Sequence, residues 1–409
     1  MQHRIVVLGA GYTGAVAAGR LARRLHRADV TITLVNPEPD FVERVRLHQL
    51  AVGQELKPRP FEEIFAGTGV TLKLARVTGV DVDRRTVTVT PTGPAGAAPA
   101  GGAEVLEYDT LVYALGSTWN DGGVPGAAEH AHEVSSRPGA LRLRERLAAL
   151  GAGRPVVVVG GGLTGLEAAT EIAEARPDLR VTLATPRVLG DWLSDKGRAH
   201  LRTVTDRLGI AVHEHTTVTA VTADGVTTAG GGTLSSDATV WTTGFAVHPL
   251  ARATTLHTTD HGQITVDASM RSHSHPDVYA IGDAAHALGP GGRPLRMSCA
   301  SGVPMAWQAA DAIAARLTGT KVPSMTIRYF QQCVSLGRSE GLIQFVTADD
   351  RARDSVLTGR LAFHYKELIC KGAAWGVAHP TAGLPTRRRR LVPRPAPATR
   401  TAARAEASA

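Results

Sequence analysis

Two glycine triplets carry the most specific chemistry in this chain. Gly9, Gly11 and Gly14 follow the apolar run Arg4–Leu8 and open an Ala/Leu/Arg helix reaching about Arg27. Gly160, Gly162 and Gly165 follow Pro155–Val159 and open a helix through about Glu174. In each copy the first glycine permits a tight turn and the second lets backbone approach a pyrophosphate. The third lets helix and strand pack closely, while the helix N-terminus presents N–H groups to phosphate oxygens. A lone G-x-G-x-x-G is weak, but two copies, each between a buried strand and a helix, supply the context that confirms the motif. The spacing therefore predicts two dinucleotide sites.

The strand after each helix normally ends on an acid that binds the ribose, about 20 residues past the fingerprint. In the first copy that place falls on Asn36, which can hydrogen-bond a hydroxyl without charge assistance. In the second it falls on Thr185, with Arg187 just beyond. No carboxylate stands there to repel a 2′-phosphate. Arg187 either pairs with such a phosphate or is a solvated loop arginine, so both NADH and NADPH stay open as co-substrate.

These motifs must be positioned by buried strands, and the pattern supplies them. Val30–Val35 and Arg180–Leu183 complete two βαβ units about 150 residues apart, a coarse internal repeat. Val80–Thr90 alternates as one antiparallel strand, and the Pro/Gly/Ala-rich Pro91–Gly102 reads as a mobile hairpin tip. Asp109–Gly116, Asp237–Gly244 and Asp277–Asp283 are further apolar strands, and a helix is expected over about Val303–Leu317. Tyr329–Leu336 and Leu342–Thr347 read as a hairpin turned at Gly337–Gly341, closed by a helix over about Arg360–Ala373. The fold class is α/β, with two Rossmann-like dinucleotide-binding domains, a small α+β C-terminal domain and a disordered basic tail. The domain boundaries are 1–118 with 250–320, then 119–249, 321–386 and 387–409.

Composition narrows the function. The chain has 409 residues, 43% of them hydrophobic, enough for two to three cored domains and too apolar for disorder. No apolar run reaches the eighteen or so residues of a membrane span. The N-terminal apolar stretch reads as strand and turn rather than as a signal peptide. The net charge of +8 suggests a polyanion partner until it is placed along the chain. Seven arginines and one acid in Arg387–Ala409 carry +6, leaving +2 on residues 1–386. A nearly neutral body argues against nucleic acid.

The segments Tyr108–Gly116 (YDTLVYALG) and Val278–Ala285 (VYAIGDAA), with the two glycine loops, resemble the FAD-dependent pyridine nucleotide oxidoreductases of two-dinucleotide-binding-domain fold. The second loop, Gly160–Glu174 (GGGLTGLEAATEIAE), is similar to the type II NADH dehydrogenase branch. The resemblance spans about residues 3–318. It implies an oxidoreductase with FAD as cofactor and NADH or NADPH as co-substrate. By position, Gly9, Gly11 and Gly14 would hold the FAD pyrophosphate, Asn36 the adenosine ribose and backbone at Val77 the adenine. Gly116, Gly282 and Asp283 would hold the ribityl and flavin end. Gly160, Gly162, Gly165, Thr185 and Arg187 would hold NAD(P)H, with Glu167 in the first turn of the helix near the nicotinamide. Hydride transfer to flavin N5 needs orientation rather than a protein acid or base, so no catalytic residue is nominated.

The same resemblance places an electron acceptor, quinone-like, against residues following the first unit, with His48 and Gln308 as pocket candidates beside Arg44 and Arg46. It implies a cytoplasmic protein, attached peripherally to the inner face of the membrane where it docks, and it is compatible with a homodimer. Leu357, Leu361, Tyr365, Leu368, Ile369 and Trp375 lie at near-helical spacing among Arg360, Lys366 and Lys371, either a core stripe or a membrane-docking face. Two other readings share the fold. One is a flavin oxidoreductase acting on a redox protein or a biosynthetic intermediate. The other is an NAD(P)H-sensing protein resembling apoptosis-inducing factor, with a nucleic-acid-binding tail. Phe41–Leu56 contains no cysteine, which excludes a redox-active disulfide there. Cys299, Cys333 and Cys370 are far apart in sequence, which argues against sulfide:quinone chemistry. His213/His215 and His273/His275 lack accompanying carboxylates or thiols, and no metal is expected.

Overall fold

A computed structural model describes residues 2–93, 101–383 and 387–392. Each predicted βαβ unit nucleates its own sheet. In the first, five strands run parallel in the order Val278–Ala280, Thr110–Tyr113, His3–Leu8, Val30–Asn36, Val70–Asp81. Ile5, Val6, Val7, Val30, Ile32, Val35, Val112 and Val278 are buried, as helix-covered parallel strands require. Val70–Asp81 is long enough to serve twice. Its first half pairs in parallel with Val30–Asn36, and its second half turns antiparallel to Thr86–Pro91, which Glu104–Glu107 extends.

The second sheet is all parallel: Ala211–His213, Arg180–Ala184, Pro155–Val159, Ala238–Trp241 and Ala131–His132. The third unit is an antiparallel sheet of Gln331–Ser335, Gly341–Val346 and Ala352–Thr358, followed by the helix Gly359–Ala378. The architecture is thus mixed α/β.

Several expectations are corrected. Val80–Thr90 is two strands rather than one, because the chain reverses at Val82–Arg85 with Arg85 at φ 58°. A third C-terminal strand, Ala352–Thr358, was not expected; its residues ARDSV alternate too weakly to read as half-buried. The helix expected from Val303 begins at Cys299 and tolerates Pro304 in its second turn. The closing helix runs on to Ala378. The basic tail does not begin as a loose end at Arg387. Arg389 pairs with Leu25 as a parallel bridge, the Arg390 guanidinium donates to Asp29 at 2.6 Å, and the Leu391 N–H donates to Asp29 Oδ2 at 3.0 Å. Backbone partners and one acid hold residues 389–392 against the end of the helix Tyr12–Arg24, the turn before Val30–Asn36 and the end of Cys299–Leu317. Residues 393–409, and residues 94–100 of the expected mobile hairpin tip, lie outside the described residues.

A buried amide is among the links that fasten the third unit to the second. Gln344, fully buried, accepts from the Ser194 N–H and hydroxyl, each at 2.9 Å, and donates to the Arg353 carbonyl at 2.6 Å. Ser194 in turn caps the helix Asp195–Arg207. Gln344→Leu leaves these groups unpaired. It is expected to cost about 1–3 kcal/mol for each orphaned buried group, measured as a shift in the urea unfolding midpoint.

Candidate active site

The two glycine loops open onto the same space, a cavity of about 900 Å³ bounded by all three sheet units. Three helices aim their N-termini at it: Tyr12–Arg24, Leu163–Ala175 and Cys299–Leu317. Their N-cap residues Gly11, Gly162 and Ser298 give no side-chain cap, and none has an acid in the first turn. Each helix end therefore leaves N–H groups and a partial positive charge facing the cavity. A site of this kind fits phosphates.

Close approach explains the third glycine of each loop. A Cβ on Gly14 would lie 1.8 Å from the Gly9 carbonyl oxygen, and one on Gly165 would lie 1.8 Å from that of Gly160. These two glycines pack the helix on its loop and do not touch the cavity. At Gly11 and Gly162 a Cβ would meet nothing within 4 Å, so these positions face open space. Gly9 has φ 90° and Gly160 φ 117°, a region that only glycine enters cheaply.

Most of the expected cofactor residues line the cavity: Gly9, Gly11, Asn36, Gly116, Gly282 and Asp283 on one side, Gly160, Gly162, Glu167, Thr185 and Arg187 on the other. Asn36 Oδ1 accepts from the Ala10 N–H at 3.0 Å, so part of its capacity is spent steadying its own loop. Asp283 accepts from the Ser117 hydroxyl at 2.6 Å. Arg187 is held by Asp191 at 3.0 Å, and both line the cavity.

Three expectations are corrected. Val77 is buried and does not line the cavity. Leu74 already stands opposite the strand-end Asn36, and Val77 lies three residues further, in the antiparallel part of its strand. Gln308 is buried two turns along its helix, where its amide donates to the Pro323 carbonyl at 2.6 Å, and it has no place in the acceptor pocket. Glu167 sits in the second turn of its helix, not the first, so serving the helix dipole is not its role.

Its role is a buried ion pair that no local motif announces. The Glu167 carboxylate contacts the Lys366 ammonium and accepts from the Ser335 N–H at 3.2 Å, and Lys366 donates to the Ser335 hydroxyl at 3.2 Å. His48, 4% exposed, sets Nδ1 3.7 Å from the same carboxylate. Burial and the neighbouring Lys366, Arg338 and Arg46 hold its imidazole neutral, well below the usual histidine range. Burial also pulls the Lys366 ammonium down to about 8. The far wall adds Gln331, Cys333, Ile369 and Cys370, and the floor adds Cys299. The three cysteines, remote in sequence, thus share one cavity. Burial pushes Cys299 and Cys333 up to about 12, so they stand as thiols rather than thiolates. Lys366, Ile369 and Cys370 were legible only as one face of a helix, and Glu38, which lines the cavity two residues past Asn36, follows a proline that ends the pattern.

Residues 3–314 match the pyridine nucleotide-disulphide oxidoreductase family. The chain belongs to this family. It is an oxidoreductase, with FAD and a pyridine nucleotide as cofactors. A NADH dehydrogenase-like protein of Mycobacterium tuberculosis is 30% identical over 355 residues, covering 82% of this chain and 86% of its own. A demethylphylloquinone reductase of Synechocystis is 26% identical over 381 residues, covering 89% and 92%. Among solved structures, NDH2 of Plasmodium falciparum superposes with a TM-score of 0.77 at 14% identity, over 93% of this chain and 97% of that one. At that identity the likeness speaks for the fold.

Removing one member of a buried ion pair strands the other. Lys366→Met is expected to destabilise the protein by about 3–5 kcal/mol, and Glu167→Gln combined with Lys366→Met to recover much of that loss. Chemical denaturation of the two variants against the parent checks it.

Proposed function

We propose that this chain is an FAD-dependent NAD(P)H dehydrogenase that passes electrons to a quinone. The observation that carries the reading is the single cavity reached at once by both glycine loops and by the Glu167–Lys366 wall. The relatives named for NADH dehydrogenase and quinone reductase point the same way.

The domain holding the first sheet is assigned to FAD. Gly9, Gly11 and the N-terminus of Tyr12–Arg24 would bind its pyrophosphate, and Asn36 with Glu38 the adenosine ribose. Gly116, Gly282 and Asp283 would bind the ribityl end, with the N-terminus of Cys299–Leu317 placed to favour negative charge on the reduced ring. When bound, FAD supplies an N5 that takes hydride and a ring that passes two electrons onward. Gly160, Gly162 and the N-terminus of Leu163–Ala175 would bind the NAD(P)H phosphates, with Thr185 and Arg187 at the adenosine end. Arg187 reaches a 2′-phosphate only by giving up Asp191. Hydride transfer asks the protein for orientation and exclusion of water rather than for a proton. Acceptor reduction does ask for protons, and His48, Glu167 and Lys366 surround the place for it. Purified protein is expected to be yellow and to bleach on anaerobic addition of NADH or NADPH. Its colour should return on adding a short-chain quinone. Absence of bleaching overturns the dehydrogenase, and bleaching without return of colour overturns the quinone.

The acceptor wall continues onto an exposed apolar face. On the helix Gly359–Ala378, Leu361 is 66% exposed, Leu368 68% and Trp375 56%, and Ile369 belongs both to this face and to the cavity lining. Arg360 and Lys371 flank it. No helix among the described residues is long and apolar enough to cross a membrane. We assign this face to the surface of an anionic bilayer, from which a lipid-soluble quinone would enter at Ile369. Leu361→Asp with Leu368→Asp is expected to lower co-sedimentation with anionic vesicles at least roughly tenfold. Bleaching by NAD(P)H should be unaffected.

A further inference from the structure

Reducing a quinone to a quinol takes two electrons and two protons. NAD(P)H delivers hydride, which is both electrons and one proton, so one proton per turnover comes from water. Lys366 is buried and Glu167 only 12% exposed, on the cavity wall that bound cofactor and acceptor would cover, so that proton needs a path.

The helix Leu163–Ala175 carries three carboxylates on one face: Glu167, Glu171 and Glu174, at the i, i+4, i+7 spacing of a single stripe. Glu167 lines the cavity. Glu171, one turn further, is 1% exposed. Its Oε2 accepts from the Gln54 amide at 3.1 Å. Its Oε1 has no hydrogen-bond partner among the described residues, and the nearest cation, Arg338, stands 3.6 Å away. Glu174 closes the stripe in the turn between Gln331–Ser335 and Gly341–Val346. There it accepts from the Arg338 N–H and from the hydroxyl of the exposed Ser339 at 3.0 Å. At the cavity end His48, buried and lining the cavity, leaves Nε2 without a partner among the described residues.

A buried carboxyl whose one oxygen has no hydrogen bond and only Arg338 at 3.6 Å is costly to keep charged, which favours its protonated form. Burial raises Glu171 to about 7. Arg338 opposes the shift, and Glu174 and Glu367 reinforce it. At neutral pH the group therefore both holds and yields a proton. Carboxylates one turn apart lie about 5–6 Å apart at Cβ, a gap closed by one side-chain rotation or one water.

We propose that Glu171 relays the proton that acceptor reduction draws from water, taking it at the Glu174–Ser339 end and passing it to Glu167 at the cavity. The role rests on the reading that a quinone is reduced in this cavity. Its electron balance is that of the overall reaction, NAD(P)H, one proton and quinone giving NAD(P)⁺ and quinol. Glu171 is a positioning residue for the proton and touches no substrate.

The two half-reactions separate this role from a purely structural one, because only the second consumes a proton from water. In stopped-flow measurements on the FAD-loaded protein, Glu171→Gln is expected to bleach with NAD(P)H at the parent rate. Return of colour with a short-chain quinone should slow at least roughly tenfold. The parent's reoxidation should fall as pH rises past about 7 and show a solvent deuterium effect. The Gln variant should lose that pH dependence, and Glu171→Asp should restore part of the rate. Independently of turnover, the infrared carboxyl stretch of the protein without pyridine nucleotide should show a group titrating near neutrality that Glu171→Gln abolishes. Equal slowing of both half-reactions makes Glu171 structural and overturns the relay. So does unchanged reoxidation, or absence of the titrating carboxyl. A parent protein that bleaches but is not reoxidised overturns the quinone reading, and the relay with it.

Discussion

Everything in this molecule is arranged around helix ends left without side-chain partners. A helix that begins with Ser or Asp satisfies its first N–H groups locally, whereas those beginning at Gly11 and Gly162 leave theirs directed outward. Such an end is satisfied by water or by an anion, and it favours the anion. Both parallel sheets, with their βαβ crossovers, bring these ends to one cavity. The glycines are the condition for that arrangement, because a single methyl at Gly14 or Gly165 would occupy the position of a carbonyl oxygen in the loop.

Electrostatics then divides the cavity. The side assigned to phosphate presents backbone N–H groups at the ends of Tyr12–Arg24 and Leu163–Ala175. The opposite wall relies on ionisable side chains held in a dry setting: Glu167 against Lys366, His48 kept neutral, and Arg46 bound to Glu367 at 2.9 Å. Charges there are paired because an isolated one would be prohibitive. Backbone donors beside a wall of ionisable side chains would suit the proposed reaction, which moves hydride on one side and protons on the other.

The third unit makes this division possible. Its sheet and closing helix supply Ser335, Arg338, Lys366 and Glu367, and it is fastened through Gln344 to the cap of the helix Asp195–Arg207. The same helix buries Ala362, Phe363 and Ala374 inward while turning Leu361, Leu368 and Trp375 outward. One element thus closes the cavity and offers a surface.

Much of the fold was legible in the chain itself. Strand, glycine loop and helix are contiguous, so their geometry is local: runs such as PVVVV and RIVVL announce buried parallel strands, and glycine spacing announces the loop. The family follows from these local signals. The acceptor wall is different in kind. Glu167 and Lys366 are 199 residues apart, and His48, Ser335 and the three cysteines come from four separate elements. No periodicity links such positions, since what joins them is packing between units rather than the path of the backbone. That is why Gln308 packs elsewhere than expected, and why Lys366 was legible only as a charge beside an apolar stripe, with no sign of its partner Glu167. Residue order along the chain is thus enough to specify the two strand–glycine loop–helix units assigned to the nucleotides. Which charges meet across the cavity depends on the closing of the units, because a buried ion pair is selected by the desolvation it must offset, and desolvation exists only once they have closed.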